Sequence, residues 1–150
     1  MIASVAAVRF IKGFESCRLM PYRDEGGKWT VGWGHLMQDS DPHTPITQEE
    51  ADALFDTELL HFEGEVAALV PADLRQHEFD ALVSFAYNCG HEALEKSTLL
   101  RCLNGGDFAR AACEFTKWTK VDGHDSLGLF KRRCAEQAMF LLADYSRGIG

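Results

Sequence analysis

Basic residues are scarce in this sequence relative to acidic ones. Fifteen lysines and arginines stand against 23 aspartates and glutamates, so the 150-residue chain carries a formal net charge of −8. Binding to nucleic acid depends on lysine and arginine side chains that neutralise phosphates and release their counterions. The composition therefore argues against nucleic acid as a partner, and it disfavours tight electrostatic binding to any other polyanion.

Long apolar runs are also lacking. The apolar stretch at residues 2–8 is far shorter than the roughly 20 residues that span a bilayer, and no basic segment with a cleavage site precedes it. We therefore expect neither an export signal nor a stable membrane anchor.

The five cysteines include no Cys-x-x-Cys pair and no metal-ligand spacing. Four of them fall among apolar helical positions, and we predict that these four are small buried side chains that stay reduced: Cys89, Cys102, Cys113 and Cys134. A second group could suggest a metal: Asp122, His124 and Asp125. Two acids and a histidine in a polar segment are more typical of a solvated loop, so we expect no metal and no organic cofactor.

The N-terminal third contains an abrupt change of pattern. Apolar residues recur at helical spacing from Val5 to Phe14. Residues 19–23 and 28–33 then predict two short strands around a Gly-Gly turn.

Three polar residues lie where the predicted helix, turn and strands meet. Glu15 ends the helix, Asp24 enters the turn, and Thr30 lies on the returning strand. These side chains can meet across one cleft. Glycoside hydrolysis requires two carboxyl groups on either side of the scissile bond, one shielded from water and one more exposed to it.

The rest of the chain is predicted to be mostly helical. Thr47 and Glu50 form a capping box at the start of a helix over residues 47–70. Further helices are predicted from Asp73 to Gly90, from Ser97 to Asn104, from Asp107 to about Trp118, and after a polar loop at 121–126. The last helix is expected to bury Phe130, Cys134, Ala138, Leu141 and Leu142, and the tail from Ser146 is expected to fray. The fold class is therefore α+β and mostly helical.

The order and spacing of these residues resemble the phage-type lysozymes (endolysins), glycoside hydrolase family 24. The resemblance rests on Glu15, Asp24 and Thr30, separated by eight and five residues and followed by Gly32-x-Gly34-His35. Later segments agree as well, at residues 79–85, 88–90, 97–101 and 128–136, so the similarity covers nearly the whole chain.

The resemblance implies a lysozyme-like, two-lobed domain over residues 1–150. A small N-terminal antiparallel β-sheet forms one lobe, at about 15–45. The long helix at 47–70 joins it to a larger helical lobe, at about 71–145 together with the N-terminal helix.

The resemblance also implies catalytic roles. Glu15 would be the general acid, Asp24 would stabilise positive charge on the sugar or activate water, and Thr30 would help to hold that water. A general acid must keep its proton near neutral pH, which an apolar, desolvated site favours. These roles fit single displacement with inversion and carboxyl groups about 6.5–9.5 Å apart. Glu25 stays open as a competing carboxylate beside Asp24.

Supporting and substrate-binding residues follow from the same resemblance. His35 is expected to be a structural histidine paired with Glu58, with Asp56 as the alternative partner. Arg132, in preference to Arg133, is expected to reach Glu15, although a solvated pair of arginines is the simpler interpretation of the pattern. Contacts with the glycan are expected from Gly34, Leu36, Tyr87 and Asn88, and a helix cap is the alternative role for Asn88.

The resemblance implies a monomeric muramidase that hydrolyses the β-1,4 bond between N-acetylmuramic acid and N-acetylglucosamine in peptidoglycan. It further implies a phage or prophage enzyme that stays in the host cytoplasm until a holin admits it to the periplasm and cell wall. Two alternatives stay open: a lytic transglycosylase acting on the same bond, and a non-catalytic glycan-binding module on the same scaffold. Retention of Glu15, Asp24 and Thr30 together speaks against the second.

Overall fold

In a computed structural model, which describes residues 1–147, the described chain contains seven α-helices, a three-stranded sheet and a two-stranded hairpin. The elements in order are α1 (Val5–Glu15), β1 (Arg18–Arg23), β2 (Trp29–Gly32), β3 (His35–Leu36), α2 (Gln48–Leu69), α3 (Gln76–Cys89), α4 (His91–Glu95), α5 (Thr98–Asn104), α6 (Phe108–Glu114), a 3-10 turn (Phe115–Lys117), β4 (Lys120–Val121), β5 (His124–Asp125) and α7 (Leu127–Leu142). The predicted mostly helical α+β class is confirmed. The predicted fraying from Ser146 falls partly on residues 148–150, outside the described residues.

Helix α1 is held at its start by a buried acid. Ser4 caps the helix by accepting a hydrogen bond from the amide of Ala7. Its own hydroxyl donates to Asp80 Oδ2 over 2.6 Å, and its amide donates to Asp80 Oδ1 over 3.0 Å. Because Phe10 and Ile11 are fully buried against the helical core, α1 leaves Glu15 at a fixed place at its end.

The N-terminal sheet is antiparallel, in the order β1-β2-β3. The turn between β1 and β2 is closed by Asp24, whose side-chain Oδ1 accepts from the amide of Lys28 over 2.8 Å. Gly27 in this turn has a φ of +81°, a conformation that favours glycine. The two strands predicted from the sequence are therefore present, and a third, short strand follows them.

Helix α2 begins where the sequence predicts. Thr47 is its N-cap and accepts from the amide of Glu50 over 3.1 Å. The helix runs for 22 residues and buries Phe55, Leu59 and Val66 along one side. It starts directly after the loop that leaves the sheet, so it links the sheet to the helices that follow.

Helix α3 is the most buried element. Every residue from Phe79 to Tyr87 is buried, as the apolar residues on several of its faces predict. Its start differs from the prediction, because Asp73 does not cap it. The helix begins at Gln76, and the backbone amide of Arg75 donates to Glu78 Oε2 over 2.8 Å.

The C-terminal part contains two further differences. The polar loop predicted at 121–126 is the hairpin β4–β5, in which Asp122 (φ 48°) and Gly123 (φ 79°) form the turn. Two consecutive residues with positive φ match the twist of a tight hairpin. Helix α6 also ends before Trp118, because the chain tightens into the 3-10 turn.

The predicted buried face of α7 is largely wrong. Phe130, Leu141 and Leu142 are exposed, whereas Arg132, Arg133 and Glu136 are buried. The helix turns this charged set inward because the three side chains bind one another and the polar groups of α3.

The cysteines are less buried than predicted. Cys113 is exposed, and Cys89, Cys102 and Cys134 are half-buried. Cys113 lies on α6 beside Ala111 and Ala112, which take the inward positions. All five thiols are free.

No helix within residues 1–147 combines the length and hydropathy needed to cross a bilayer.

Candidate active site

A cleft of about 490 Å³ lies between the N-terminal sheet, the end of α3 and the β4–β5 hairpin. Glu15, Asp24 and Thr30 all line it. The four residues expected to contact substrate also line it: Gly34, Leu36, Tyr87 and Asn88. Residues from three separate parts of the sequence therefore meet at one concave surface.

Glu15 enters this cleft from the end of α1. Its side chain is 15% exposed, and one oxygen, Oε1, accepts a hydrogen bond from Arg132 Nη1 over 2.5 Å. The guanidinium group lies over the ring of Phe14, 5.5 Å from its centroid. Because Oε1 is occupied by Arg132, Oε2 is the oxygen left for a substrate.

Arg132 is itself held from behind. Its Nε donates to Glu136 Oε1 over 3.2 Å, and its Nη2 donates to the backbone carbonyl of Ser84 over 3.3 Å. Burial by itself would lower the pKa of Arg132, but the negative charges of Glu15 and Glu136 together raise it above its ordinary value. Arg132 is therefore a fixed, permanently charged donor, and the negative charge of Glu136 partly neutralises it.

Arg133 points elsewhere. Its Nη2 donates to Asn88 Oδ1 over 2.7 Å and to Glu136 Oε1 over 3.1 Å, and its Nη1 contacts Cys89 Sγ. Burial raises the pKa of the Cys89 thiol. The structure thus brings Arg132, and not Arg133, to Glu15.

Asp24 and Thr30 face the cleft from the β1–β2 hairpin. Asp24 Oδ1 is engaged by the Lys28 amide, as is usual for an aspartate in a turn, and no partner for Oδ2 is present among the described residues. Thr30 is 2% exposed, and its hydroxyl donates to the carbonyl of Lys28 over 3.0 Å. The Thr30 oxygen keeps its lone pairs for a donor such as water.

The competing carboxylate, Glu25, makes a different contact. Its Oε2 accepts a hydrogen bond from the hydroxyl of Ser126 over 3.0 Å. Ser126 is the N-cap of α7 and also accepts from the amide of Leu129. Glu25 therefore joins the β1–β2 turn to the start of α7.

Gly34 lies directly against the carboxyl group of Glu15. A Cβ atom at this position would lie 2.9 Å from Glu15 Cδ, and the φ of Gly34 is +82°. Any side chain here would displace the acid, so glycine is required both by its conformation and by its close approach to Glu15.

His35 Nδ1 is hydrogen-bonded to Glu58 Oε1 across the junction of β3 and α2. Glu58 is the partner that the sequence favoured over Asp56. That hydrogen bond raises the pKa of His35, although burial acts in the opposite direction. The other Glu58 oxygen lies 3.4 Å from the hydroxyl of Tyr87. This pair ties the sheet to α2 and α3.

The hydroxyl group of Tyr87 already donates its hydrogen bond within the protein and cannot donate to a substrate. It donates to the carbonyl of Trp33 over 2.8 Å, and burial raises the pKa of Tyr87. Asn88 uses its side-chain oxygen to accept from Arg133, so only its amide nitrogen is available to the cleft. Gly90, not Asn88, is the C-cap of α3.

Similarity to known proteins agrees with this arrangement. The family model for phage lysozyme matches residues 12–136, a range that includes the cleft residues from Glu15 to Leu129 and also Arg132. The chain belongs to the phage lysozyme family. The resemblance noted in the sequence is thereby confirmed.

Individual relatives of this phage lysozyme family member are endolysins. The endolysin of Bacillus phage B103 is 42% identical over 146 residues, which cover 96% of this chain and 56% of that protein. The endolysin of Acyrthosiphon pisum secondary endosymbiont phage 1 is 38% identical over 134 residues, which cover 87% of this chain and 91% of that protein. The chain spans a little over half the length of the first curated relatives it matches.

Solved structures share the fold. The endolysin from Escherichia coli O157:H7 phage FAHEc1 superposes with a TM-score of 0.84 at 32% identity, covering 97% of this chain and 96% of that one. The muramidase domain of SpmX from Asticaccaulis excentricus gives a TM-score of 0.80 at 37% identity, covering 92% and 96%. The lysozyme-like fold is therefore shown.

Part of the cleft was not anticipated from the sequence. Trp118, Lys120, Val121 and Asp122 line its far side, where the end of a helix and a polar loop were expected. Trp118 packs edge-on against Phe85, with ring centroids 5.4 Å apart. The Asp-Gly pair at 122–123 is a typical hairpin signal and could have predicted this wall.

Proposed function

We propose that this chain is a muramidase that hydrolyses the β-1,4 bond between N-acetylmuramic acid and N-acetylglucosamine in peptidoglycan. The observation that carries the proposal is the meeting of Glu15, Asp24 and Thr30 in one cleft, with Arg132 bound behind Glu15. Family membership supports it, since the matched relatives are named endolysins and one structural neighbour is named a muramidase domain.

The reaction needs one proton donor and one activated water. Glu15 gives a proton from Oε2 to the glycosidic oxygen as the bond from that oxygen to the sugar C1 breaks. Water held by Thr30 attacks C1, and its proton passes to Asp24 Oδ2. This single displacement inverts the configuration at C1. Tyr87, Asn88, Gly34 and Leu36 border the glycan.

The decisive experiment is product analysis on purified peptidoglycan. A muramidase releases fragments with a reducing N-acetylmuramic acid end, because water takes the place of the leaving sugar. A lytic transglycosylase would instead leave a 1,6-anhydro sugar, and a glycan-binding module would release nothing. Either of the last two outcomes contradicts the proposal.

Glu15→Gln tests the acid role within that reaction. The amide keeps the size of the side chain and can accept from Arg132, but it has no proton to give. We expect activity to fall by on the order of 10²–10⁴, with a melting temperature close to that of the parent. Glu49→Gln, an exposed acid on α2, is the matched control and should leave activity unchanged. More than a tenth of parental activity in Glu15→Gln would remove Glu15 from the acid role.

Beyond the reaction, we infer a role in the lysis of a bacterial host by a phage or prophage. Residues 1–150 act as one catalytic domain and as a monomer, which stays in the host cytoplasm until a holin opens the way to the cell wall. The endolysin names of the relatives support release to act on the wall.

A further inference from the structure

A cluster of three metal-ligating side chains lies outside the cleft, between α2 and α4. His61 and Glu65 are one helical turn apart on α2, and His91 is the first residue of α4. His61 Nε2 lies 3.1 Å from Glu65 Oε1, and His91 Nδ1 lies 2.9 Å from Glu65 Oε2. One ligand atom from each of the three residues can be chosen so that all lie within 4.8 Å of one another.

The hydrogen bonding inside this cluster is incomplete. Glu65 Oε2 is buried, and among the described residues no group donates a hydrogen bond to it in good geometry, although His91 Nδ1 is within reach. A buried carboxylate oxygen without a donor is destabilising. A cation bound between the oxygen and the imidazole nitrogens would satisfy it.

The spacing suits a tetrahedral metal ion. Zinc binds imidazole nitrogen and carboxylate oxygen at about 2.0–2.2 Å, so neighbouring ligand atoms in a tetrahedron lie about 3.3 Å apart. Each imidazole nitrogen lies near this distance from one Glu65 oxygen, His61 Nε2 from Oε1 and His91 Nδ1 from Oε2, and a set with a single Glu65 oxygen lies within 4.8 Å. The rings of His61 and His91 stand nearly perpendicular at 84°, with centroids 6.4 Å apart, which leaves room for an ion between them.

We propose that His61, Glu65 and His91 form a binding site for a divalent transition metal of the zinc class. Two imidazoles and one carboxylate form a donor set that binds such borderline ions in preference to magnesium or calcium, which favour oxygen ligands. Three protein ligands leave one coordination position for water. The side chain of His61 is 64% exposed, so the ion enters directly from solvent.

The metal would act as a clamp between two helices. Helix α4 follows directly after Asn88 and Cys89, which line the cleft. A metal that joins α2 to the first turn of α4 therefore stabilises the segment at the end of α3. The site lies apart from Glu15 and Asp24, so metal binding can be tested independently of the proposed reaction.

The test is a titration of the purified chain with Zn²⁺ at pH 7.5, followed by calorimetry and by thermal unfolding. We expect one ion per chain, and a melting temperature raised by about 5–10 °C at a hundredfold excess over Kd. Co²⁺ provides a spectroscopic probe. It should give a tetrahedral spectrum without the charge-transfer band of a thiolate ligand, which separates this site from the five free cysteines.

Three variants and a control assign the ligands. His61→Gln, Glu65→Gln and His91→Gln should each weaken binding by at least about tenfold. His124→Gln, on the exposed strand β5, should bind as the parent does. His61 is exposed enough that its replacement leaves the fold intact, which circular dichroism can verify.

Two results overturn the proposal. One is a parent chain without one-to-one binding. The other is binding that is unchanged in Glu65→Gln and His61→Gln, since the ion would then be held elsewhere.

Discussion

Arg132 connects residues that lie far apart in the sequence, since it binds Glu15 at the end of α1 and Glu136 one turn further along α7. Family resemblance pointed to Arg132. The role of Glu136 was not anticipated, because an acid four residues after an arginine on a helix usually forms an exposed ion pair. Here both side chains are almost fully buried, and Ser84 donates to Glu136 Oε1 over 2.7 Å. The charged network thus replaces the apolar face that the sequence predicted for α7.

Replacing Asp24 and Glu25 separately distinguishes the two neighbouring carboxylates. Asp24→Asn should nearly abolish activity, because the amide cannot take a proton from water, whereas Glu25→Gln should keep most of it, because a glutamine oxygen still accepts from Ser126. Turbidity loss of outer-membrane-stripped cells measures both. If Glu25→Gln proves the more damaging change, the base has been assigned to the wrong carboxylate.

The pair formed by His35 and Glu58 makes stability depend on pH. The raised pKa of His35 means that the folded chain holds this proton more tightly than the unfolded chain does. The pair therefore stabilises fully below the unfolded value of about 6.5, and this contribution is lost as pH rises through the folded value.

We accordingly expect His35→Asn to lower the free energy of unfolding more at pH 5.5 than at pH 9. Denaturant melts of parent and variant at both pH values measure the difference. His124→Asn, which removes an exposed histidine, should show no such pH-dependent gap. Equal gaps for His35→Asn at the two pH values would rule out a proton-linked pair.

At the scale of the elements, the sequence predicted those helix starts that depend only on residues close together in the chain. Thr47, Ser97 and Asp107 cap helices as expected, since a cap needs only the side chain and the amide three residues on. The start of α3 was missed because the capping acid, Glu78, lies inside the helix. The meeting of Glu15, Asp24 and Thr30 followed from the pattern of the N-terminal third, whereas the place of Tyr87 and Asn88 in the cleft was available only through the family resemblance.

The turn between β2 and β3 offers a test of an element that carries no catalytic side chain of its own. Gly34→Ala places a Cβ atom against Glu15 and should reduce activity at least tenfold, because the acid must move. Gly106→Ala is the matched control, since its φ of +83° imposes similar backbone strain with no atom within 4 Å of the added Cβ. Both variants should lose on the order of 1 kcal/mol of stability, but only the first should lose activity. Equal activity in the two variants would show that contact with Glu15 is unimportant.

At the scale of the whole molecule, the net charge of −8 leaves little long-range attraction to an anionic wall. Recognition then depends on short-range contacts along the cleft, where Trp118, Leu36 and Val121 provide apolar surface beside the polar catalytic groups. Added salt should consequently not lower activity as it lowers that of a basic lytic enzyme, because the ions screen repulsion and not attraction.

Release of the proposed enzyme from the cell that makes it can be tested by expression. The start of the chain is used in part for packing: Ala7, Phe10 and Ile11 are fully buried and Ser4 is bound to Asp80, whereas Ile2 and Val5 stay exposed. Expression of residues 1–150 alone in a Gram-negative host should therefore leave the cells intact, with active enzyme recovered after the cells are broken. Co-expression of a hole-forming membrane protein should cause an abrupt fall in turbidity, and the same co-expression with Glu15→Gln should not. Lysis without that partner, if it depends on the secretion machinery of the host, would contradict this prediction, because the first residues and α1 would then direct export.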